Sequence, residues 1–157
     1  MNEALTKEQK KIAKRKMSVS VLKKKAWSEF SRYIRTRDCL QSTGSLEFGT
    51  CYTCGKRYEF KQLQAGHFIP GRGNSVLFDD RGVHAQCLQC NCYDHGRWVE
   101  YEAHMLKDYG VKIVNELKAN KHMIYKYQPS ELLELIEVFK TKTRELEMTL
   151  QQDRFPL

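Results

Sequence analysis

The chain has 157 residues, 41% hydrophobic and 29% charged, which fits one domain with a modest core and a wet surface. Its formal net charge of +8, from 27 Lys+Arg against 19 Asp+Glu, favours a polyanionic partner, with nucleic acid first. No apolar run approaches the roughly 20 residues of a membrane span, and the opening stretch MNEALTKEQKKIAKRKM lacks a signal-peptide core, so a cytosolic protein is expected.

In chain order, residues 5–37 predict a helix. They contain no proline or glycine, and Val21, Leu22, Trp27, Phe30 and Ile34 recur at near-helical spacing. The segment is strongly basic, with Lys23, Lys24, Lys25, Arg32, Arg35 and Arg37 following an earlier run from Lys7 to Lys16. Those charges suit phosphate contact or simply a solvated helix face, and the part before about Ser20 reads as a basic arm or frayed helix. Residues 40–50 are turn-rich. Residues 57–63 alternate apolar and polar positions and predict a short strand. Ala65–Ile69 predict a second strand, ended by Pro70-Gly71, and residues 72–82 a loop. Residues 91–109 predict a helix with Gly110 as its C-cap, and 111–119 another. A last helix is expected from Pro129-Ser130, with Ser130 as N-cap. Its apolar stripe, Leu132, Leu135, Ile136, Phe139, Leu146 and Leu150, suits packing on the domain or a dimer-forming coiled coil.

The six cysteines carry the first chemistry. Cys51 and Cys54 form CYTC, Cys87 and Cys90 form CLQC, and Cys39 and Cys92 are left over as plain thiols. Two CxxC turns suit a tetrahedral zinc site, the alternative being unrelated reduced thiols or a redox motif. Four thiolates and one zinc ion lower the net charge to roughly +6, still basic. The gap between the pairs, residues 55–86, exceeds the roughly 15–20 residues of a simple zinc ribbon. Within it lies His67, in the stretch QAGHFIPGRGNS.

The order CYTC, AGHFIP, GVHAQCLQCNCYDHG resembles the HNH, or ββα-metal, nucleases. That resemblance implies an α+β fold, in which a β-hairpin and a helix grip one divalent metal and a four-cysteine zinc braces them. It implies His67 as general base, with Asn91 and His95 as ligands of a catalytic Mg²⁺ or Mn²⁺. The chemistry suits those residue types. A neutral imidazole can take a proton from water near pH 7, and an amide carbonyl suits a hard cation. Two positions depart from the pattern. Gly66 stands where a metal ligand usually precedes the base, so the ligand is expected from elsewhere, with Asp79, Asp80 and His84 nearest. Gly82 stands near where a central asparagine is usual, with Asn74 as a substitute. His84 could orient His67, bind metal or only pack.

The stretches LKKKAW, YIRTRDC, CYTCGK, LQAGHFIPGRGNSVLFDDRGVHAQC and CN…HG look like the NinG, or Rap, family of phage recombination endonucleases. That resemblance covers roughly residues 20–110. It implies a phage-encoded enzyme in the host cytoplasm that cuts branched DNA, including Holliday junctions and D-loops. Three segments follow: a basic arm and helix over 1–38, a zinc-braced HNH-like nuclease core over 39–110, and C-terminal helices over 111–157 that could pair two copies. Arg72 joins the basic helix as an expected phosphate contact. The competing reading is a non-catalytic zinc-finger DNA-binding mediator, and a third is an RNA- or protein-binding zinc module.

Overall fold

A computed structural model describes residues 17–154, so the basic run from Lys7 to Lys16 lies outside the described residues. Those residues form an α+β arrangement of three long helices and two small antiparallel sheets. Helix α1, Val19–Thr43, starts at Ser18, whose side chain accepts from the Val21 N–H, and ends at Gly44. Gly44 adopts the left-handed φ of 68° that closes a helix, and its N–H reaches the Leu40 carbonyl. The helix therefore runs past Arg37 into the stretch expected as turn. The Ser42 and Thr43 hydroxyls donate back to the Asp38 and Cys39 carbonyls there.

Strands β1, Phe48–Thr50, and β2, Arg57–Glu59, pair around the first CxxC turn. A 3-10 turn over Phe60–Gln62 then breaks the strand expected over 57–63. Strand β3, Leu63–His67, pairs antiparallel with β4, Val83–Cys87, placing Gly66 opposite His84 and His67 opposite Val83. Side chains alternate between the faces of such a hairpin. Ala65 and Val83 pack against Phe30, Tyr33 and Ile34 of α1, and His67 shares their face. Gln64, Gly66, His84 and Gln86 share the other.

The second CxxC turn departs most from expectation. A helix was expected from residue 91. The chain instead makes a π-type turn over Gln89–Tyr93, then a bend with His95, Gly96 and Arg97 all at positive φ. Helix α2, Trp98–Asn120, begins only after it. Asn91 and His95 therefore do not share a helix face. Gly110, at φ 79° and ψ 166°, splits α2 into two pieces, much where its sequence signals them.

Helix α3, Pro129–Arg154, opens with Pro129 in the first turn, where its missing N–H costs nothing. Gln128, not Ser130, takes the capping place, and its N–H donates to the Glu131 carboxylate at 2.6 Å. The helix runs alongside α1 in the same direction. Leu132 and Ile136 meet Leu22 and Ala26, and Phe139 meets Phe30 and Tyr33. The apolar stripe that would have served a coiled-coil seam is largely spent on α1.

Candidate functional site

Cys51, Cys54, Cys87 and Cys90 come together, with their sulfurs all within 4.8 Å of one another. Among the described residues this is the group of Cys, His, Asp and Glu side chains that could hold a metal ion. Four thiols at that spacing fit a structural zinc. Burial opposes ionisation of Cys51, but hydrogen bonds from the Thr53 hydroxyl and from backbone N–H groups outweigh it and hold the thiol below its ordinary value. The Thr53 hydroxyl lies 3.3 Å from Cys51 Sγ and accepts from Gln86 Nε2, tying the first CxxC turn to the hairpin. Cys39 and Cys92 stay outside the cluster, Cys39 buried beside Gly49 and Cys92 exposed.

His67 stands at the end of β3. Its Nε2 is 3.1 Å from the Leu77 carbonyl oxygen. A carbonyl only accepts, so Nε2 carries the proton and the neutral ring keeps its lone pair on Nδ1. Burial pushes its pKa down, the Leu77 hydrogen bond resists, and the Arg72 charge adds to the fall, leaving it at about 4. The ring is therefore neutral at physiological pH. It stacks on Trp27 of α1, with centroids 5.1 Å apart. The Arg72 guanidinium sits 4.1 Å from the Trp27 ring centre. Arg72 itself holds a left-handed φ of 49° behind Gly71, a conformation non-glycine residues rarely adopt. Trp27 and Leu77, both in contact with His67, also line a surface depression of about 480 Å³ with Lys23, Lys24 and Arg72.

His84, on β4, is enclosed. Its Nδ1 lies 3.1 Å from Asp38 Oδ2 and its Nε2 3.1 Å from the Tyr109 hydroxyl. A carboxylate only accepts, so Nδ1 donates to Asp38, and the Tyr109 hydroxyl is the partner of Nε2. The ring also stacks on Tyr52, with centroids 3.9 Å apart. Burial raises the Asp38 pKa, and hydrogen bonds to His84 and Arg37 overcome it, so the carboxyl ends below its ordinary range. Asp38 further accepts from the Ala85 N–H at 2.6 Å. Of the three roles open to His84, the contacts describe packing and support of the hairpin.

Gly66 has a steric cause. A Cβ there would lie 1.9 Å from Gln86 Oε1 and 2.8 Å from Asn91 Oδ1, so any side chain at this position requires those amides to move. The acidic residues nearest in sequence are engaged elsewhere. Asp79 accepts from Arg81, and Asp80 from Lys142 and Tyr33. Asn74 accepts from Lys23 and donates to the Tyr125 carbonyl, so it acts as a clasp between segments. His95 is exposed on its left-handed bend.

The expected phosphate contacts divide. Lys24 and Lys25 are exposed, and Lys23 and Arg72 flank the depression beside His67. Arg32 pairs with Glu147, and Arg35 lies over the Phe60 ring. Arg37 is turned inward. It donates to Asp38 and to the carbonyls of Asp80 and Val83, so it holds the fold together rather than facing solvent. Among the described residues no helix is long and apolar enough to cross a membrane.

The family model described as "Bacteriophage Lambda NinG protein" matches residues 2–149. The chain belongs to the NinG family. It is 27% identical over 97 residues to protein ninG of Escherichia phage 933W, covering 61% of the chain and 47% of that protein. It is 26% identical over 97 residues to protein ninG of Escherichia phage lambda, with the same coverage. Against protein ninG of Enterobacteria phage H19B it is 28% identical over 98 residues, covering 62% of the chain and 44% of that protein. The chain thus spans about half the length of the curated NinG proteins it matches. No solved structure matches it.

In this NinG chain, sequence reasoning missed Asp38, Trp27 as the platform of His67, and Gln86. The Leu77 carbonyl is backbone and leaves no trace in residue type. Asp38 left a signal: an acid beside Arg37 on a helix face that otherwise turns inward. Gln86 is fully buried, and its Oε1 has no hydrogen-bond partner, a cost of about 1–3 kcal/mol unless something fills it.

Proposed function

We propose that this protein is a metal-dependent, structure-selective DNA endonuclease with a zinc-braced, HNH-like hairpin at its core. One observation carries the reading. His67 is neutral, its tautomer is set by Leu77, and it adjoins a depression lined by Lys23, Lys24 and Arg72. The lysines and Arg72 hold the phosphate. His67 Nδ1 takes the proton of a water whose oxygen attacks phosphorus, as the bond to the 3′ oxygen breaks. A pKa near 4 makes a weak base in the free protein. The negative charge of a phosphate beside Arg72 would raise that pKa, against the burial that is the larger cause of its fall. A divalent cation such as Mg²⁺ or Mn²⁺, when bound near Asn91, supplies positive charge to the phosphate. His67 and Gly66 face opposite sides of the hairpin, so the phosphate must lie across its edge or end. The zinc turns hold that edge rigid.

Membership in the NinG family supports branched DNA as the substrate, Holliday junctions and D-loops included, and a place in phage recombination within the host cytoplasm. A homodimer would match the two-fold symmetry of a junction. Its interface would use a surface other than the α3 stripe packed on α1. A second reading, a zinc-finger DNA-binding mediator without catalysis, draws on one fact. Among the described residues, the Cys, His, Asp and Glu side chains assemble a metal group only at the four cysteines. A labelled synthetic four-way junction separates the two. With Mg²⁺ or Mn²⁺ the endonuclease nicks it and EDTA stops the cut, whereas junction binding without nicking favours the mediator.

A further inference from the structure

The crowding at Gly66 has a chemical meaning beyond sterics. Gln86 Nε2 donates to the Gly96 carbonyl at 3.0 Å and to the Thr53 hydroxyl at 3.2 Å. A carbonyl can only accept, so this fixes which end of the amide is nitrogen and turns Oε1 toward Gly66. Asn91 Nδ2 donates to Gln64 Oε1 at 2.8 Å, which turns Asn91 Oδ1 toward the same point. Two amide oxygens therefore converge over a residue without a side chain. Neither can donate to the other, and Gln86 Oε1 is buried with no partner. Converging acceptors without a hydrogen between them repel, and a hard cation is what relieves them.

We infer that Gln86 Oε1 and Asn91 Oδ1 are paired ligands for a divalent cation of the Mg²⁺ or Mn²⁺ class. Gln86, on the neighbouring strand, takes the part of the ligand that Gly66 lacks. This deepens the endonuclease reading and rests on it for purpose, but the cation seat itself stands or falls without cleavage. Both ligands are neutral, so the seat is weak alone and fills best when a phosphate oxygen completes it. The same Gln86 amide reaches the zinc turn through Thr53 and the bend after the second CxxC through Gly96. The seat is therefore held in place by the zinc brace.

The test is Mn²⁺ titration of the zinc-loaded full chain, read by the loss of the free Mn²⁺ EPR signal. Wild type is expected to bind one Mn²⁺. Gln86→Leu, folded by circular dichroism, is expected to bind at least about tenfold more weakly. Asn91→Asp, which keeps the oxygen and adds charge at a partly exposed position, is expected to bind at least about tenfold more tightly, and it serves if Gln86→Leu does not fold. No Mn²⁺ bound by wild type at millimolar concentration overturns the inference. So does equal binding by wild type and both variants. Mn²⁺ held through Gln86 and Asn91 with no cleavage of a four-way junction leaves the seat standing and removes the endonuclease. Cleavage that survives in a folded Gln86→Leu with unchanged Mn²⁺ binding removes the seat alone.

Discussion

Two histidines stand on the paired strands of one hairpin and meet opposite fates. His84 has both ring nitrogens bonded, to Asp38 and Tyr109, and lies flat on Tyr52. His67 has one nitrogen bonded, to the Leu77 carbonyl, and keeps the other free beside a basic depression. The same residue type is a strut on one face and, in the function proposed above, a reagent on the other. The difference comes from what each face meets. His84 faces a closed side built by the first CxxC turn, Asp38 and α2. His67 faces α1, stacked on Trp27 at the end of β3, where Arg72 covers the Trp27 ring.

The closed side can be broken most severely through the zinc that its four cysteines are fitted to hold. Removing zinc with a strong chelator, or replacing Cys51 or Cys87 with serine, should unfold the region around β1, β2 and the second CxxC turn. Loss of the cooperative melt and of one bound zinc per chain would report it, and an unchanged melt after zinc loss would mean the cysteines do not brace the hairpin.

His84→Ala comes next. It strips a buried hydrogen-bond donor from the Asp38 carboxylate and should cost roughly 1.5–3 kcal/mol. His67→Ala loses mainly a ring stacked on Trp27 and should cost about 1 kcal/mol. Urea titrations of both variants sharpen the comparison, and equal losses would erase it.

The smaller effect is one of pH. The His67 pKa is about 4 in the folded chain against about 6.5 unfolded. Above pH 7 both states leave it neutral and it contributes no pH dependence. As pH falls from about 6.5 to 4, the unfolded chain takes up the proton first. Folding should weaken by up to roughly 3 kcal/mol over that window and level off below it. Zinc release in acid also destabilises, so the measurement is the difference between wild type and His67→Phe in melts from pH 7.5 to 4. A flat difference would place His67 in water, with an ordinary pKa.

Much of this was legible in residue order. The clustering of the four CxxC cysteines, the break at Gly110 and the α3 stripe follow from spacing and periodicity, which local chain geometry obeys. What was not legible depended on burial from both sides. Strand β4, VHAQC, shows no alternation because α1 covers one face and the zinc turn and α2 cover the other, so all five residues are buried. The helix expected after Cys90 failed because that turn is π-type and His95 takes a left-handed conformation, which residue type does not announce. Arg37 read as a surface charge among many and proved internal, because its partners are two carbonyls and Asp38, brought near only by the fold. The glycine before His67 read as a missing ligand, and the amide oxygens of Gln86 and Asn91 occupy the space its side chain would take.

The central claim is that His67, not His84, moves the proton. The direct measurement is single-turnover cleavage of a labelled four-way junction in Mn²⁺ by wild type and His67→Ala, both shown folded and zinc-loaded. His67→Ala should bind the junction with near wild-type affinity and cut it at least about a hundredfold more slowly. Cleavage by His67→Ala at the wild-type rate would contradict the account.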